Sequence, residues 1–410
     1  MTTDAQDAAR PAPAPDAAAV SAPSRWLFTV LAVATGALAA NLYYAQPLIA
    51  LIGPELHIPP ELAGTLVSVT QIGYGLGLFF LVSAADLVES KRLVLISLAI
   101  TALALVAAAL ANSALVFFAA SLIIGLFSTG AQVLVPFASQ LVPEAQRGRT
   151  VGNVMAGLLT GILLARPLSL FISSAFGWRP VFWISAAAMV VIGVLLASMM
   201  PRHKPKGGMS YSKVLASMMT LVKETPILRR RALYQAMVFG TFNMLWTAAP
   251  LMLADRFGLD QKGIAIFALA GAGGALAAPL AGRLADRGLS QLCTGLAIAA
   301  LVVCFLLSCW GVPAGALIVV AVLVVLIDAA VQFNQIISQR LLFVLPGESR
   351  GRINALYMTT SFFGGAIGST LATTTYHAGG WIATAGTAAG VSLVCFLYFL
   401  TEFRRKSAVA

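Results

Sequence analysis

The chain has 410 residues, of which 59% are hydrophobic and 10% are charged, with a net charge of +11. Soluble domains carry about a quarter charged residues, so this composition excludes an ordinary soluble protein. It also argues against a β-barrel, whose strands alternate in short segments rather than staying apolar over about 20 residues. We therefore predict an all-α polytopic membrane protein.

The chain begins with a segment rich in Ala and Pro, residues 1–25, which contains no apolar run. A cleaved signal peptide needs such a run, so none is predicted. Low hydrophobicity without a core-forming pattern is typical of disorder. We interpret residues 1–25 as a disordered cytoplasmic tail.

Twelve apolar runs bounded by Gly, Pro or charged residues follow, and each predicts a membrane-spanning helix. Spans 1 to 6 cover residues 26–51, 61–84, 92–111, 114–141, 150–175 and 179–200. Spans 7 to 12 cover residues 231–254, 261–285, 290–310, 314–342, 352–377 and 380–402. The runs predict an N-terminal six-helix bundle over 26–200, a C-terminal six-helix bundle over 231–402 and a cytoplasmic tail over 403–410.

A basic segment over 201–230 separates the two bundles, and we interpret it as a cytoplasmic linker. Within it, apolar residues recur at helical spacing from Tyr211 to Val222. Burial of one apolar face and attraction to anionic lipid favour such a helix at the membrane surface. The linker is therefore predicted to contain a short interfacial helix.

The basic residues are distributed unevenly between the two ends of the predicted spans. Of the 26 Lys and Arg, 22 lie in the two tails or in the loops that follow even-numbered spans, since only Arg166, Arg179, Arg256 and Lys262 lie elsewhere. The positive-inside rule then predicts that both termini are cytoplasmic. The net charge is explained by topology, so we expect no nucleic-acid partner.

Two stretches of the chain carry the same pattern. The stretch from Pro143 to Arg149 reappears from Pro346 to Arg352, an offset of 203 residues. The same offset relates Gln132 to Gln335, and it relates other Gly, Pro and Trp positions in the two halves. A parallel repeat of two hydrophobic halves is how one class of transporters builds a substrate site between two bundles.

Several motifs resemble those of the major facilitator superfamily, and the resemblance covers nearly the whole chain after residue 25. They are Asp86–Arg92 after span 2, Gly282–Gly288 after span 8, Asn41–Pro47 in span 1, Gly157–Pro167 in span 5 and Asp328–Gln335 in span 10. Together they are similar to the bacterial twelve-helix exporters grouped as drug:proton antiporters and sugar or nucleoside efflux permeases. The span 5 stretch is similar to the Gly/Pro pattern of antiporters, with Arg166 where that pattern has a glycine.

The resemblance implies that charged residues in the cytoplasmic loops control the conformational change. In the family, the loop aspartate caps a neighbouring helix N-terminus and pairs with an arginine when the inner side is closed, which the helix dipole favours. The alternative is that these are ordinary solvated loop charges. The gating candidates are Asp86, Lys91, Arg92, Arg147, Arg149, Gly282, Asp286, Arg287, Arg350 and Arg352.

Two ionisable residues, Asp328 and Arg166, lie deep inside predicted spans, where a charge is expensive and indicates function. Burial favours the neutral acid, so Asp328 could gain and lose a proton near neutral pH and serve proton coupling. The alternative is a structural, hydrogen-bonded carboxylic acid. Their predicted depths also permit an Arg166–Asp328 ion pair. Neither charge has a counterpart in the other half, because the offset of 203 maps Asp328 onto Gly125 and Arg166 onto Ser369.

Uncharged polar and aromatic residues are candidates for a substrate cavity, which spans 1, 4, 7 and 10 line in the family resembled. Spans 2 and 11 add Gln71, Tyr74 and Tyr357. Amides in a bundle bond either to a ligand or to other helices, and Tyr can also mark a membrane interface, so these alternatives stay open. The cavity candidates are Asn41, Tyr43, Tyr44, Gln46, Gln71, Tyr74, Gln132, Asn243, Trp246, Gln332, Asn334, Gln335 and Tyr357.

The leading functional hypothesis is a secondary transporter that exports a small organic molecule of the drug, sugar or nucleoside type while protons enter. The alternative is proton-coupled or facilitated uptake of a small metabolite. No catalytic cluster, ATP-binding motif or metal-ligand spacing is found, so we expect neither an enzyme nor a cofactor or metal. The resemblance implies a bacterial inner-membrane protein that acts as a monomer in the lipid bilayer.

Overall fold

The computed structural model describes residues 25–85, 87–201, 210–275, 277–345 and 350–407. Residues 1–24, the gating candidate Asp86, part of the basic linker and the last three residues lie outside this description. Within the described ranges the chain forms helices and connecting turns, with no strand. A lipid environment favours this choice, because each helix satisfies its own backbone hydrogen bonds.

The described chain contains sixteen α-helices in the following order. They are α1 (Arg25–Ala40), α2 (Ile49–Glu55), α3 (Thr65–Ala84), α4 (Ser90–Ala109), α5 (Ala114–Ser128), α6 (Gly130–Gln140), α7 (Glu144–Phe176), α8 (Arg179–Met199), α9 (Tyr211–Glu224), α10 (Pro226–Phe257), α11 (Gln261–Ala268), α12 (Ala272–Ala275), α13 (Ala277–Asp286), α14 (Ser290–Gly311), α15 (Leu317–Phe343) and α16 (Arg350–Ser407). Three short 3₁₀ turns lie between them, at Gln46–Leu48, Pro60–Leu62 and Leu269–Gly271.

These helices build the twelve predicted spans, although several spans are interrupted. Nine helical segments of the described chain are long and apolar enough to cross a membrane. Span 1 is α1, extended by a 3₁₀ turn and α2, and span 8 is built from α11, a 3₁₀ turn, α12 and α13. Helix α16 covers both span 11 and span 12, and the kink between the two spans lies at Gly379 and Gly380, which leave the helical conformation. Gly380 has φ of 65°, a left-handed conformation that glycine adopts without steric cost.

The two halves repeat the same helix crossing at very close range. In the N-terminal half, α1 crosses α7 where Gly36 faces Gly157 and Gly161, and a Cβ on Gly161 would meet the backbone of Gly36. In the C-terminal half, α10 crosses α16 in the same way, and Gly364, the counterpart of Gly161, faces the backbone of Ala236. Lipid provides no hydrophobic drive for helix association, so close backbone approach through small residues stabilises these pairs.

The halves contact each other at the end of the bundle away from the basic loops, which we call the opposite end. There, Ser68 Oγ donates to Ala366 O at 2.6 Å and Thr373 Oγ1 donates to Glu61 O at 2.9 Å. Ser173 Oγ also donates to Gln261 Oε1 at 3.2 Å, which joins α7 to α11. The opposite end is thus closed by hydrogen bonds between the two halves.

A different element connects the halves at the basic end, where the loops after even-numbered spans lie. Helix α9, within the predicted linker, buries Met218, whose sulfur accepts from Ser83 Oγ of α3 at 3.1 Å. Arg352 of α16 donates to Ser217 on the same helix. Helix α9 therefore packs against both halves, in addition to exposing one face.

We predict opposite effects for alanine at two glycines of α7. Gly161→Ala should destabilise the protein by about 1–3 kcal/mol, because the new methyl group meets the backbone of α1. Gly152→Ala should be neutral or stabilise by about 0.5–1 kcal/mol, since no atom lies near the added Cβ and alanine favours the helix. Thermal unfolding in detergent, followed by size-exclusion chromatography, measures both, and equal stability of the two variants would contradict this packing.

Candidate functional site

A network of buried amides joins the two halves near the middle of the bundle. Gln46 lies in the 3₁₀ turn that follows α1, and its Nε2 donates to Asn243 Oδ1 at 3.3 Å and to Thr247 Oγ1 at 3.1 Å, both on α10. Gln71 of α3 also donates to Asn243 Oδ1, at 2.5 Å. Thr247 extends the network to Ser369 on α16 at 3.3 Å. Three cavity candidates, Gln46, Gln71 and Asn243, are therefore brought together.

Arg166 of α7 lies at one end of this network and is only 7% exposed. Its Nε donates to Gln46 Oε1 at 2.9 Å. The guanidinium carbon lies 4.9 Å from the Tyr43 ring centroid and 4.6 Å from that of Trp246, with Phe242 at 5.5 Å. Cation–π attraction of this kind strengthens when the cation is removed from water. Arg166 thus contacts aromatic rings from both halves.

Asp328 of α15 lies on the other side of the same cluster and is 6% exposed. Its Oδ1 accepts a hydrogen bond from Trp246 Nε1 at 3.0 Å. The Arg166–Asp328 ion pair that the predicted depths permit is not formed in this structure, since no N–O distance between them falls within 4.0 Å in the described part of the chain. The physical reason is that the guanidinium donates to Gln46 and contacts the aromatic rings, while the carboxylate accepts from the indole N–H. Trp246 contacts both charges.

Glycines of the interrupted span 8 make room for Asp328. A Cβ on Gly271 or Gly274 would collide with the Asp328 side chain. In the N-terminal half the counterpart of Asp328 is Gly125. It has no side chain, and it packs directly against the backbone of Thr70 in α3. Irregular backbone at membrane depth is typical of segments that line a site, and here a 3₁₀ turn lies beside the buried acid.

A pocket of about 10 Å³, roughly the room of one water molecule, lies beside Arg166 and Trp246 between the two halves. Its wall is otherwise apolar, and it is completed by Pro47, Leu170, Ala249, Pro250, Leu253, Ile264, Phe267 and Ala268. Arg166 Nη2 is buried here without a hydrogen-bond partner in the described structure. The pocket therefore combines one unsatisfied cationic donor with apolar and aromatic surface.

Other cavity candidates lie apart from this cluster. Tyr74 accepts from Gln132 Nε2 at 3.1 Å, and its ring packs 4.5 Å from Phe362 of the other half. Asn41 is bonded inside its own half, where Ser185 Oγ donates to its Oδ1 at 2.6 Å. Asn41 therefore joins span 1 to α8, and it is not part of the pocket wall.

A second group of amides lies toward the basic end of the C-terminal half. Asn334 Nδ2 donates to Gln235 Oε1 at 2.7 Å, and Gln235 Nε2 donates to Gln335 Oε1 at 3.5 Å. The repeat-related residues Gln132 and Gln335 thus each bond within their own half. Tyr357 is fully buried in a cluster that includes Met218 of α9. The remaining candidates, Tyr44 and Gln332, are half-buried and make no hydrogen bond to the Arg166 network.

The gating candidates differ in their contacts and in their exposure. Asp286 forms an ion pair with Arg340 of α15, a residue that the motif comparison did not single out. Gly282 and Asp286 both lie in α13, and Arg340 also donates to Gly282 O at 3.4 Å, so the end of α13 is held to α15 within the C-terminal half. Lys91 is half-buried and most other candidates are exposed. The exposed candidates are Asp286, Arg92, Arg147, Arg149, Arg287 and Arg350.

Sequence reasoning missed four residues of the site region. Thr247 lies one helical turn after Asn243, a spacing that could have indicated it. Ser369 is the repeat counterpart of Arg166 and belongs to the same hydrogen-bonded network. Gln235 and Phe242 carried no signal beyond their polar or aromatic type. Within the described chain, no group of three His, Cys, Asp or Glu could hold a metal ion.

Comparison with known proteins agrees with this architecture. The family model of the Major Facilitator Superfamily matches residues 31–343. The chain is 34% identical over 383 residues to the uncharacterised transporter YgaY of Escherichia coli O157:H7, covering 93% of this chain and 97% of that protein. It is also 34% identical over 365 residues to "Probable transporter SCO4007" of Streptomyces coelicolor, covering 88% and 84% of the two chains.

A solved structure shows the same fold at low identity. A mutant form of the nucleoside transporter NupG superposes with a TM-score of 0.72 at 17% identity, covering 92% of this chain and 100% of that one. At this identity the likeness establishes the fold alone. The family match and the 34% identical relatives show that this chain belongs to the Major Facilitator Superfamily and is a membrane transporter of that kind.

Proposed function

We propose that the protein exports a small organic molecule in exchange for protons, by alternating access to the pocket between its halves. The proposal places it in a bacterial inner membrane as a monomer with both termini in the cytoplasm, in line with its basic loops. The observation that carries it is the buried cluster of Arg166, Trp246 and Asp328, which is supplied by both halves. Ionisable groups at this depth mark ion and substrate pathways.

The arrangement links protonation of Asp328 to the relative position of the halves. Asp328 and Trp246 belong to the C-terminal half, whereas Arg166 and Gln46 belong to the N-terminal half. When the halves rock, the distance between guanidinium and carboxylate changes, and so does the stability of the charged carboxylate. A proton that binds Asp328 better in one state shifts the equilibrium toward that state.

The closed opposite end is one of the two states that alternating access requires. Its hydrogen bonds, such as Ser68 to Ala366 and Ser173 to Gln261, join side chains and backbone without any buried ion pair among the described residues there. Net hydrogen bonds contribute about 0.5–1.5 kcal/mol each, so a few of them form a contact that can open and close. The antiporter-like Gly/Pro stretch in span 5 supports export as the direction.

We predict that Gly64→Ala opens the opposite end. A Cβ on Gly64 would meet the backbone of Ser369 and the Thr373 hydroxyl, so the closed state is penalised. A penalty of about 1 kcal/mol on the closed state changes the ratio of open to closed molecules by about fivefold. The readout is maleimide labelling of Ser173→Cys, which is buried in the closed contact, in a background without the four native cysteines.

Gly53→Ala is the matched control, because its added Cβ would meet only an ordinary contact with Ala63 at the same end. Ser173→Cys should therefore be labelled faster with Gly64→Ala than with Gly53→Ala. Equal labelling rates in the two variants would show that the contact at Gly64 does not control closure.

We predict that transport by the purified protein in proteoliposomes depends on the pH gradient through Asp328. With a panel of drugs, sugars and nucleosides, an antiporter accumulates its substrate when the vesicle lumen is acidic, because protons leave as substrate enters. Asp328→Asn cannot release a proton, so gradient-driven accumulation should be lost. A symporter would instead accumulate substrate when the outside is acidic.

Asp255→Asn is the control acid, since Asp255 is exposed near the opposite end of α10 and bonds to Tyr376 at 2.8 Å. It should retain gradient-driven transport. Flux that is equal with and without a gradient, and unchanged in Asp328→Asn, rules out proton coupling through Asp328.

A further inference from the structure

We propose that Arg166 is the anchor for a carboxylate of the transported molecule, so that the substrate is an organic acid with a flat apolar body. This inference rests on the proposed transport function and names the chemical class that the pocket takes. It is carried by three features of the pocket: an unsatisfied buried cation, aromatic and apolar walls, and the absence of a counter-ion among the described residues that line it.

The first feature is the hydrogen bonding of the guanidinium. Nε is occupied by Gln46, whereas Nη2 is buried and has no partner in the described structure. Leaving a buried charged donor unsatisfied is costly, and more so inside a membrane protein. A ligand acceptor at the outer edge of the guanidinium would remove that penalty.

The second feature is the charge of the pocket wall. Among the described residues that line it, Arg166 is the only one with a charged side chain, and Asp328 is not part of the wall. Asp328 is held on the indole N–H of Trp246 instead. A cationic ligand would face like charge here, and a neutral ligand would bring no opposite charge into contact with the guanidinium. A carboxylate matches the planar fork of arginine and pairs with it more strongly than a neutral acceptor does.

The third feature is the shape and chemistry of the remaining wall. Trp246 and Phe267 provide aromatic surface, and Leu170, Leu253 and Pro250 provide aliphatic surface. Flat apolar groups gain from burial against such surfaces. The pocket holds only about 10 Å³ in this arrangement, so a ligand enters when the halves move apart. These walls then favour an aromatic or similarly flat acid over a sugar, whose hydroxyl groups would find few partners.

The test measures binding at equilibrium, without any gradient, to the full-length protein purified in detergent. The probes are benzoate, phenylacetate and 2-naphthoate, each compared with its own amide, which has the same shape without the charge. Tryptophan fluorescence reports binding because Trp246 lies in the pocket. We expect at least one acid to bind about tenfold or more tightly than its amide, and we expect Arg166→Gln to abolish that preference.

Arg179→Gln is the matched control, because Arg179 also stacks on a tryptophan, Trp178 at 4.3 Å, but lies at the opposite end in an ion pair with Glu55. It should keep the preference for acids. Arg166→Lys keeps the positive charge and should retain part of the preference, which keeps the proposal testable if Arg166→Gln does not fold.

The proposal is wrong if no acid is preferred over its amide by the wild-type protein, or if the preference survives in Arg166→Gln. Failure of the transport proposal looks different, because it would leave Arg166-dependent binding of acids intact while no gradient-driven flux is seen. Conversely, proton-driven flux of a neutral compound that is unaffected by Arg166→Gln would retain the transport function and overturn the assignment of substrate class.

Discussion

A guanidinium buried in the middle of a membrane protein must be surrounded by groups that compensate its charge, and this requirement organises the centre of the molecule. Arg166 is compensated by Gln46 and Tyr43 from its own half and by Trp246 and Phe242 from the other. The same contacts therefore both stabilise the cation and join the halves. Any movement of one half against the other must change the surroundings of this charge.

The duplication explains which parts of the site are symmetric. Tyr43 and Trp246 are related by the offset of 203, and both rings contact the single guanidinium of Arg166. Arg166 itself is the counterpart of Ser369, and both belong to one hydrogen-bonded network through Gln46 and Thr247. The scaffold thus provides equivalent positions in the two halves, and divergence placed a charge at only one position of the Arg166–Ser369 pair.

The fold could be predicted from the sequence because its signals are local. Apolar runs of membrane length indicated the spans, and glycines at Gly379 and Gly380 mark the break between the last two. The interruption of span 8 beside Asp328 was not predicted, because it depends on a side chain from another helix that occupies the space of Gly271 and Gly274. Local sequence does not contain that information.

The site was predicted less completely, for a related reason. The predicted depths of Arg166 and Asp328 within their spans permit the two side chains to meet. Depth along a helix, however, does not give the direction in which a side chain points around it. In the structure the two charges contact the same indole instead of each other. Asn41 shows the same limit, since its position in span 1 resembles a cavity residue while its side chain bonds to α8. Polar type identifies candidates, and only the packing of helices assigns each one to the pocket or to an interhelical contact.

Both charges contact Trp246 instead of forming a direct ion pair, and this affects how the halves can move against each other. A direct ion pair between Arg166 and Asp328 would gain strong attraction in a low-dielectric interior and would hold one arrangement of the halves. Here the two charges contact the same indole instead, and each has its own hydrogen-bond partner, Gln46 for the cation and Trp246 for the acid. The halves can then separate without leaving either group wholly unpaired.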